Sequence, residues 1–392
     1  MGEVPGPGGA VQRIAANIGL AVVSAAIFLA AAEGAVRLWD ALRGNAPGVQ
    51  SDPVETLYAR HPYLPIALRP GSDYRDNDTS GRINALGLRG PERTAARPPG
   101  AFRVICVGGS TTFGAGIAGD EKTYPARLEA RLREANPGLE IEVWNAGVPG
   151  YTTAENVIYL GLRLIDFEPD IVVLYEGYND FKPNRHPGFV SDYSHWRDRA
   201  VTPRRPPLEW LRLVAKGRAL AARWFTDPNS EVRDPASGQT LRRYDTVGEE
   251  GLAAFRRNLR TMVRTASGAG ARAVLATYPH PCTEENLRAR PELFTYLPGY
   301  LPTLTFAGVR DAFDRYNEAV RAVAAEEGAI LADAARAIPP DADFFVDHVH
   351  FNARGADLFA EVVAGAILPA IRPAPDADPS AAARGGGAGA AP

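Results

Sequence analysis

A serine, a histidine and an aspartate in this chain have the residue types that nucleophilic catalysis requires. Ser110 ends the stretch 104–110, VICVGGS, in which an apolar run stops at two glycines; such a run predicts a buried strand followed by a sharp turn. Asp347 precedes His350 by three residues, so its carboxylate can reach the imidazole within a tight turn. His348 competes for the role of base but lacks this spacing. Because histidine accepts a proton at neutral pH, the trio predicts an activated serine nucleophile.

Two other interpretations of the stretch around Ser110 are open. Gly109 and Gly114 have the glycine spacing of a phosphate-binding loop, but Ala115 and Gly116 stand where that loop needs a lysine and a hydroxyl residue. Alternatively, the serine only caps the backbone of a strand-to-helix turn, which is a common role for serine. The stretch alone does not separate a capping serine from a nucleophile, so the test is whether the chain supplies a base and an oxyanion hole.

Hydrogen-bond donors for an oxyanion follow two other apolar runs. Gly147 comes after the run at 141–145 and offers its backbone N–H, and Asn179 comes after the run at 171–175 and offers its side-chain amide. Together with the backbone N–H of Ser110, these groups supply three donors for a tetrahedral oxyanion. Each also has a structural interpretation, because a glycine can ease a turn and an asparagine can cap a helix.

The elements that must position these residues form a regular alternation. From Phe102 onward, short apolar runs alternate with amphipathic stretches, which is the pattern of parallel βαβ units. The predicted strands are 103–107, 141–145, 171–175, 273–278 and 329–333. The predicted helices are 125–135, 153–166, 251–266, 309–327 and 354–371. Because the carboxyl ends of parallel strands share one edge of a sheet, this α/β arrangement brings the candidate residues together.

Two long segments interrupt the alternation and predict insertions, at 181–249 and 279–308. Both contain many aromatic side chains, namely Trp196, Trp210, Trp224, Phe294, Tyr296, Tyr300 and Phe306. The arginines and aromatics of the first insertion could bind a sugar, or they could equally be packing and solvated surface.

The segments before and after this domain, which we place at 101–372, have different compositions. Residues 33–100 are polar and rich in proline and glycine, which predicts a stalk followed by a small β-rich lead-in. Residues 373–392 are almost entirely alanine, glycine and proline. This tail cannot bury enough apolar surface to fold, so it predicts disorder.

A continuous apolar segment lies close to the amino terminus. No charged residue occurs between Arg13 and Glu33, and residues 14–32 would span ~28 Å as a helix, about one hydrocarbon core. A cleavable signal peptide is the main alternative, because 30–32 is a run of small residues, but the apolar region is longer than usual for one. We favour an uncleaved transmembrane anchor after a short tail at 1–13, with the bulk of the chain exported to the periplasm or the extracellular space.

Composition excludes several classes of protein. With 392 residues, 45% hydrophobic and 23% charged residues, the chain has the make-up of a globular protein with a full core. A net charge of −3 implies no basic surface for nucleic acid. The two cysteines, Cys106 and Cys282, form neither a disulfide scaffold nor a zinc pattern. We expect both thiols to be free, because Cys106 lies in the first predicted strand and Cys282 follows a strand two places away in the sheet, about 10 Å off.

Four short blocks of this sequence together resemble the SGNH hydrolase superfamily, also called the GDSL esterases or lipases. The blocks are VGGSTT at 107–112, NAGVPG at 145–150, GYND at 177–180 and DHVH at 347–350. The aspartate that usually precedes the nucleophile is Gly109 here. The lead-in NALGLRG at 84–90 also resembles a segment of membrane-anchored bacterial members. The resemblance covers 102–371, apart from the two insertions.

The resemblance implies a three-layer α/β/α sandwich, flavodoxin-like, with strand order 2-1-3-4-5. It implies that Ser110 attacks an ester, that Asp347 and His350 complete the triad, and that Gly147 and Asn179 are oxyanion donors. No metal or organic cofactor is implied. The substrate stays open, with O-acetyl groups on an envelope or extracellular glycan as one hypothesis. An O-acyltransferase using the same triad and a catalytically silent envelope scaffold are the alternatives.

Overall fold

The computed structural model describes residues 7–42, 57–76, 79–196 and 241–371. Most of the first predicted insertion lies outside the described residues, and so does the tail expected to be disordered. The described part of that insertion comprises residues 181–196 and 241–249.

A five-stranded parallel sheet forms the centre of the fold. Its strands are β5 (Phe102–Gly108), β6 (Ile141–Gly147), β7 (Ile171–Tyr175), β8 (Arg272–Ala276) and β9 (Ile330–Ala332). The strands lie in the order β6-β5-β7-β8-β9, each parallel to its neighbour. This is the predicted order 2-1-3-4-5. Every residue of β6 and β7 is buried, as expected for a sheet covered on both faces.

Helices cover both faces of this sheet. The longer ones are α3 (Tyr124–Ala135), α4 (Thr153–Leu162), α6 (Glu249–Gly268), α9 (Phe306–Glu327) and α11 (Ala353–Ile367). Helix α3 packs on α11, whereas α6 packs on both α4 and α9. The chain moves one way along the sheet from β5 to β6 and the opposite way through β7, β8 and β9. Because such crossovers are right-handed, the two helix groups lie on opposite faces and give the three-layer α/β/α sandwich.

Short helices and caps fix the loops at the carboxyl edge of the sheet. The short helices are α2 (Ser110–Phe113), α5 (Phe181–Asn184), α7 (Glu284–Ala289), α8 (Leu297–Tyr300) and α10 (Ala334–Ala337). Thr152 and Glu155 form a capping box at the start of α4. The side chain of Asn352 accepts hydrogen bonds from the first backbone N–H groups of α11. Because these caps satisfy N–H groups that a helix leaves unpaired, they set where each loop ends.

The lead-in belongs to the body of the domain. It forms two antiparallel pairs, β1 (Tyr58–Ala59) with β2 (Ala67–Leu68) and β3 (Asp73–Asp76) with β4 (Thr79–Arg82). Ile83 and Leu88 lie fully buried in the same core as the sheet strands. The domain is therefore larger than the one predicted to begin at residue 101.

One helix, α1 (Pro7–Leu42), precedes the lead-in. Residues 33–42 were expected to begin a stalk but continue this helix. Glu33 and Arg37 form an i,i+4 ion pair at 2.8 Å, and no proline occurs between Pro7 and Pro47. Within α1, the segment Ala16–Trp39 is long enough and apolar enough to cross a bilayer, and its large apolar side chains are exposed. Signal sequences share this length and composition, so these features alone identify an apolar N-terminal helix.

Candidate active site

The structure joins three predicted residues in one hydrogen-bonded series. His350 Nε2 lies 2.7 Å from the hydroxyl oxygen of Ser110, and His350 Nδ1 lies 2.7 Å from Asp347 Oδ2. The other carboxylate oxygen, Oδ1, accepts the backbone N–H groups of Val349 and His350, each at 2.8 Å. The three-residue spacing thus produces the tight turn that the sequence predicted.

The charge of Asp347 sets the tautomer of the histidine. Burial alone would raise the pKa of Asp347, but the charge and hydrogen bond of His350, together with nearby His348, hold this pKa well below its usual range. An ionised carboxylate can only accept hydrogen bonds, so the proton of the imidazole lies on Nδ1. Nε2 is then free to accept the proton of the Ser110 hydroxyl.

His348, the competing histidine, is part of the core. It is 2% exposed, and its Nε2 lies 2.5 Å from the hydroxyl of Tyr178. Burial lowers the pKa of His348 to about 4, so the ring is neutral at pH 7. This histidine therefore packs beside the site while His350 contacts the serine.

The turn that presents Ser110 requires both glycines before it. A Cβ atom at Gly108 would lie 2.3 Å from the carbonyl oxygen of Tyr175. One at Gly109 would lie 2.7 Å from Asn179 Nδ2 and 3.2 Å from Glu176 Oε2. A side chain at position 108 would collide with the backbone, and one at position 109, such as an aspartate, would displace the side chain of Asn179. The carboxyl group of Glu176 occupies the adjoining space instead.

Glu176 is a buried carboxyl group that sequence reasoning did not single out. Its Oε2 accepts from Asn156 Nδ2 at 2.9 Å, and its Oε1 accepts from the N–H of Gly177 at 3.0 Å. Burial and the charge of Asp180 raise the pKa of Glu176 well above its usual range. The sequence feature that could have indicated Glu176 is the glycine at position 109. Because Gly109 has no side chain, it leaves room for a side chain that follows the neighbouring strand.

Asn179 lies against the serine turn. It is 5% exposed, and its Nδ2 donates to the carbonyl oxygen of Tyr151 at 2.8 Å. An amide nitrogen carries two hydrogens, so a second donor remains on this atom. Asp180, the next residue, accepts the backbone N–H of Thr153 at 3.0 Å and the hydroxyl of Tyr193 at 2.9 Å. Asn179 and Asp180 therefore connect the loop after β6 to the loop after β7.

The prediction that the N–H of Gly147 serves an oxyanion requires correction. This N–H donates to Asn145 Oδ1 at 3.0 Å, so it is already occupied. A Cβ atom at Gly147 would lie 2.2 Å from the backbone nitrogen of Phe113. The glycine therefore lets β6 approach helix α2 closely, which is the structural interpretation of this residue.

Gly150, three residues further along, has the features expected of an oxyanion donor. It is exposed with φ = +88°, and within the described ranges no protein group accepts its N–H. The carbonyl oxygen of the next residue, Tyr151, is the acceptor for Asn179 and lies 3.4 Å from the Cβ position of Gly109. Gly150 is thus adjacent to the serine turn. A Pro-Gly pair at the end of the second block was the sequence signal for it.

Both cysteines are free and buried, as predicted. Burial raises the pKa of the Cys106 thiol to about 12. The Cys282 sulfur lies 3.6 Å from the carbonyl oxygen of His348. Neither thiol is ionised at neutral pH, so both behave as apolar core groups.

Arg89 of the lead-in holds the far end of the nucleophile helix. It is 3% exposed and donates to the carbonyl oxygens of Phe113 at 2.8 Å and Gly114 at 2.9 Å. It also pairs with Asp120 at 2.8 Å. These carbonyl groups at the end of α2 have no helical partner, so the guanidinium satisfies them. No local pattern in the sequence of the lead-in indicates this contact.

Replacement of Arg89 by methionine is expected to lower the free energy of unfolding by about 3 kcal/mol or more, because several buried carbonyl oxygens and Asp120 each lose one charged donor and the buried ion pair is broken. Chemical denaturation of the full chain in detergent would measure the change. Arg82→Met is the matched control, since the Arg82–Glu92 pair has a separation of 3.5 Å and is more than half exposed on both sides. The control should change stability by less than about 0.5 kcal/mol. Equal losses for the two variants would contradict the role assigned to Arg89.

A family model of GDSL-like lipases and acylhydrolases matches residues 106–358 of this chain. Together with the parallel sheet and the serine turn at its edge, this match defines the class of protein. The chain belongs to the GDSL-like lipase/acylhydrolase family, within the SGNH hydrolase superfamily, and is a hydrolase acting on ester bonds.

Solved structures with some similarity include two esterase-type enzymes. Axe2, an acetylxylan esterase from Geobacillus stearothermophilus, is 17% identical, with 68% of this chain and 95% of that chain covered and a TM-score of 0.40. The lipase/acylhydrolase from Enterococcus faecalis is 18% identical, with 70% and 99% covered and a TM-score of 0.42. No curated protein sequence matches the chain.

Proposed function

We propose that this chain is a serine esterase in which Ser110 is the nucleophile, His350 the general base and Asp347 the residue that orients the histidine. The observation that carries the proposal is the continuous series of hydrogen bonds, 2.7 Å from Ser110 to His350 and 2.7 Å from His350 to Asp347. A nucleophile within reach of a base that is itself held by a third group is the arrangement that covalent catalysis requires.

The reaction proceeds in two halves. The oxygen of Ser110 attacks the ester carbonyl carbon while its proton moves to His350 Nε2; the bond to the alcohol then breaks, and the alcohol leaves with that proton. Water next gives a proton to His350 and attacks the acyl-enzyme carbonyl. Collapse of this second tetrahedral intermediate breaks the bond to Ser110, which regains the proton, and releases the acid.

Three N–H groups form the proposed oxyanion hole. The N–H of Ser110 starts helix α2 and so has no acceptor within the helix. The N–H of Gly150 is free among the described residues, and Asn179 Nδ2 keeps one hydrogen available. Donors fixed before the reaction stabilise the developing negative charge without reorganising.

We also propose that the N-terminal helix anchors the chain in a membrane and that the catalytic domain is exported. Support comes from the segment Ala16–Trp39, which has the length and composition of a membrane span. An enzyme so placed would act on an ester in the envelope or outside the cell, for which O-acetyl groups on a glycan are the proposed substrate. The same acyl-enzyme would serve an O-acyltransferase if a sugar hydroxyl replaced water.

The proposal is tested by assaying the full chain in detergent with p-nitrophenyl acetate, butyrate and octanoate. We expect turnover of the short esters, and we expect a fluorophosphonate probe to label Ser110, as mapped by mass spectrometry of peptides. Product analysis with and without a glycan acceptor separates hydrolysis from transfer. Labelling at another serine, or turnover without labelling of Ser110, would overturn the assignment of the nucleophile.

A further inference from the structure

A lysine beside the proposed active site lacks a carboxylate partner. Lys182 lies in α5, three residues after Asn179, and its side chain is half-buried. Within the described part of the chain, no carboxylate oxygen lies within 4 Å of its Nζ. The contact it makes is with an aromatic ring, because Nζ lies 4.5 Å from the ring centre of Tyr300. A ring face replaces only part of the hydration that an ammonium group loses on burial.

The contacts of Tyr300 place Lys182 at the proposed site. The ring of Tyr300 lies 6.3 Å from that of His348, whose Nε2 is bonded to the hydroxyl of Tyr178. Burial raises the pKa of Tyr300, and the charge of Asp347 raises it further. Tyr300 is also 49% exposed. Lys182 and Tyr300 therefore form a solvent-accessible surface next to His348 and Tyr178. These two residues are sequence neighbours of Asp347 and of Asn179.

The neighbouring ionisable groups leave the charge of Lys182 uncompensated. Burial lowers the pKa of Lys182 to about 8, and Glu176 is the charged neighbour that opposes this shift. The carboxyl group of Glu176 itself has a pKa well above its usual range, mainly through burial. His348 is neutral at pH 7 because burial lowers its pKa. At neutral pH the ammonium thus stays predominantly charged with no full negative charge beside it.

The cation is also unusual for this chain. Of 43 lysines and arginines, only those at 122, 182 and 216 are lysines. Lys122 has a carboxylate of Glu121 at 3.9 Å, and its side chain is 47% exposed. Lysine presents a compact point charge on a flexible stem, whereas arginine presents a broad planar fork.

We propose that Lys182, with the face of Tyr300 behind it, is an anion subsite of the proposed esterase, and that the natural substrate is an ester that carries a negative charge. This inference rests on the proposed function and names the substrate class for it. The negative charge would lie either in the acyl part or in the alcohol part of the ester, and these two sources are separated by the choice of probe.

The test compares matched esters that differ only in charge. Mono-p-nitrophenyl succinate and its methyl ester carry the difference in the acyl part, and 4-acetoxybenzoate and its methyl ester carry it in the alcohol part. We expect the wild-type chain to prefer the anionic member of one pair in kcat/KM. Lys182→Met should lower that ratio at least tenfold, and Lys182→Arg should keep most of it. Lys122→Met, which removes an exposed lysine, should leave the ratio unchanged.

An unchanged ratio in Lys182→Met for both pairs would overturn the subsite, while turnover of the neutral esters would still support the esterase. No hydrolysis of any ester by the wild-type chain would overturn the proposed function and the subsite together. Because each variant is compared with itself on two esters, partial unfolding lowers both rates equally and leaves the ratio intact. A lysine that only packs on Tyr300 would therefore not change it.

Discussion

Replacement of Ser110 by alanine is expected to lower kcat for ester hydrolysis by about 10⁴-fold or more. The hydroxyl oxygen is the atom that attacks the ester in our proposal, and His350 Nε2, 2.7 Å away, then has no proton to accept from it. Steady-state kinetics with p-nitrophenyl acetate would measure the loss. The remaining rate would come from water attack assisted by the oxyanion donors.

Ser72→Ala is the matched control, because the Ser72 hydroxyl is exposed and bonds only a local carbonyl oxygen in the lead-in. It should retain wild-type kinetics. The Ser110→Ala chain should also keep its free energy of unfolding within about 1 kcal/mol, because alanine is smaller than serine and the variant loses one hydrogen bond, to His350. A folded Ser110→Ala chain with wild-type turnover would exclude Ser110 as the nucleophile.

The strands at the centre of the sheet were predictable because their sequence pattern depends on burial alone. The prediction for 171–175 agrees with β7 at both ends, as every residue there is apolar or aromatic and buried on both faces. Strand β8 was predicted to reach Tyr278 but ends at Ala276. The backbone N–H of Tyr278 donates to the side chain of Asn317 at 2.6 Å. Such a contact from a distant helix ends a strand, and no local pattern indicates it.

The candidate site was predictable to the extent that its geometry is local. The spacing between Asp347 and His350 predicted which histidine contacts Ser110, since the turn is contained within four residues. Which of Gly147 and Gly150 has a backbone N–H available for an oxyanion could not be predicted from local spacing. It depends on which backbone N–H the side chain of Asn145 occupies, and the sequence shows two glycines in one block without showing that bond.

The lead-in shows the same limit at longer range. Its composition predicted a small β-rich segment between a stalk and the domain at 101–372, because polar residues, prolines and glycines usually mark a linker. In the structure, the Arg89 side chain instead donates hydrogen bonds to the carbonyl oxygens of Phe113 and Gly114, which lie 24 and 25 residues further along the sequence. A buried guanidinium is stable only when its donors find acceptors, and those acceptors exist only once the nucleophile helix has formed.

Replacement of Asn179 by alanine is expected to lower kcat by about 10²–10³-fold with a much smaller change in KM. The amide nitrogen keeps one hydrogen for the oxyanion in our proposal, and negative charge on the substrate oxygen develops only in the transition state. Steady-state kinetics on p-nitrophenyl butyrate and the rate of fluorophosphonate labelling would both measure the loss. Asn136→Ala is the control, because the acceptor of its amide among the described residues is the carbonyl oxygen of Leu132, at the end of α3.

The second bond of Asn179 provides a competing explanation that the experiment must separate. Its Nδ2 also donates to Tyr151, so alanine could lower activity merely by releasing the loop that carries Gly150. A released loop would lower the free energy of unfolding and raise KM along with the loss in kcat. Asn179 is identified as an oxyanion donor if kcat falls while KM changes much less, and if the free energy of unfolding falls by no more than about 1 kcal/mol, the contribution of one hydrogen bond. A loss below about tenfold would leave stabilisation of the oxyanion to the backbone N–H groups of Ser110 and Gly150.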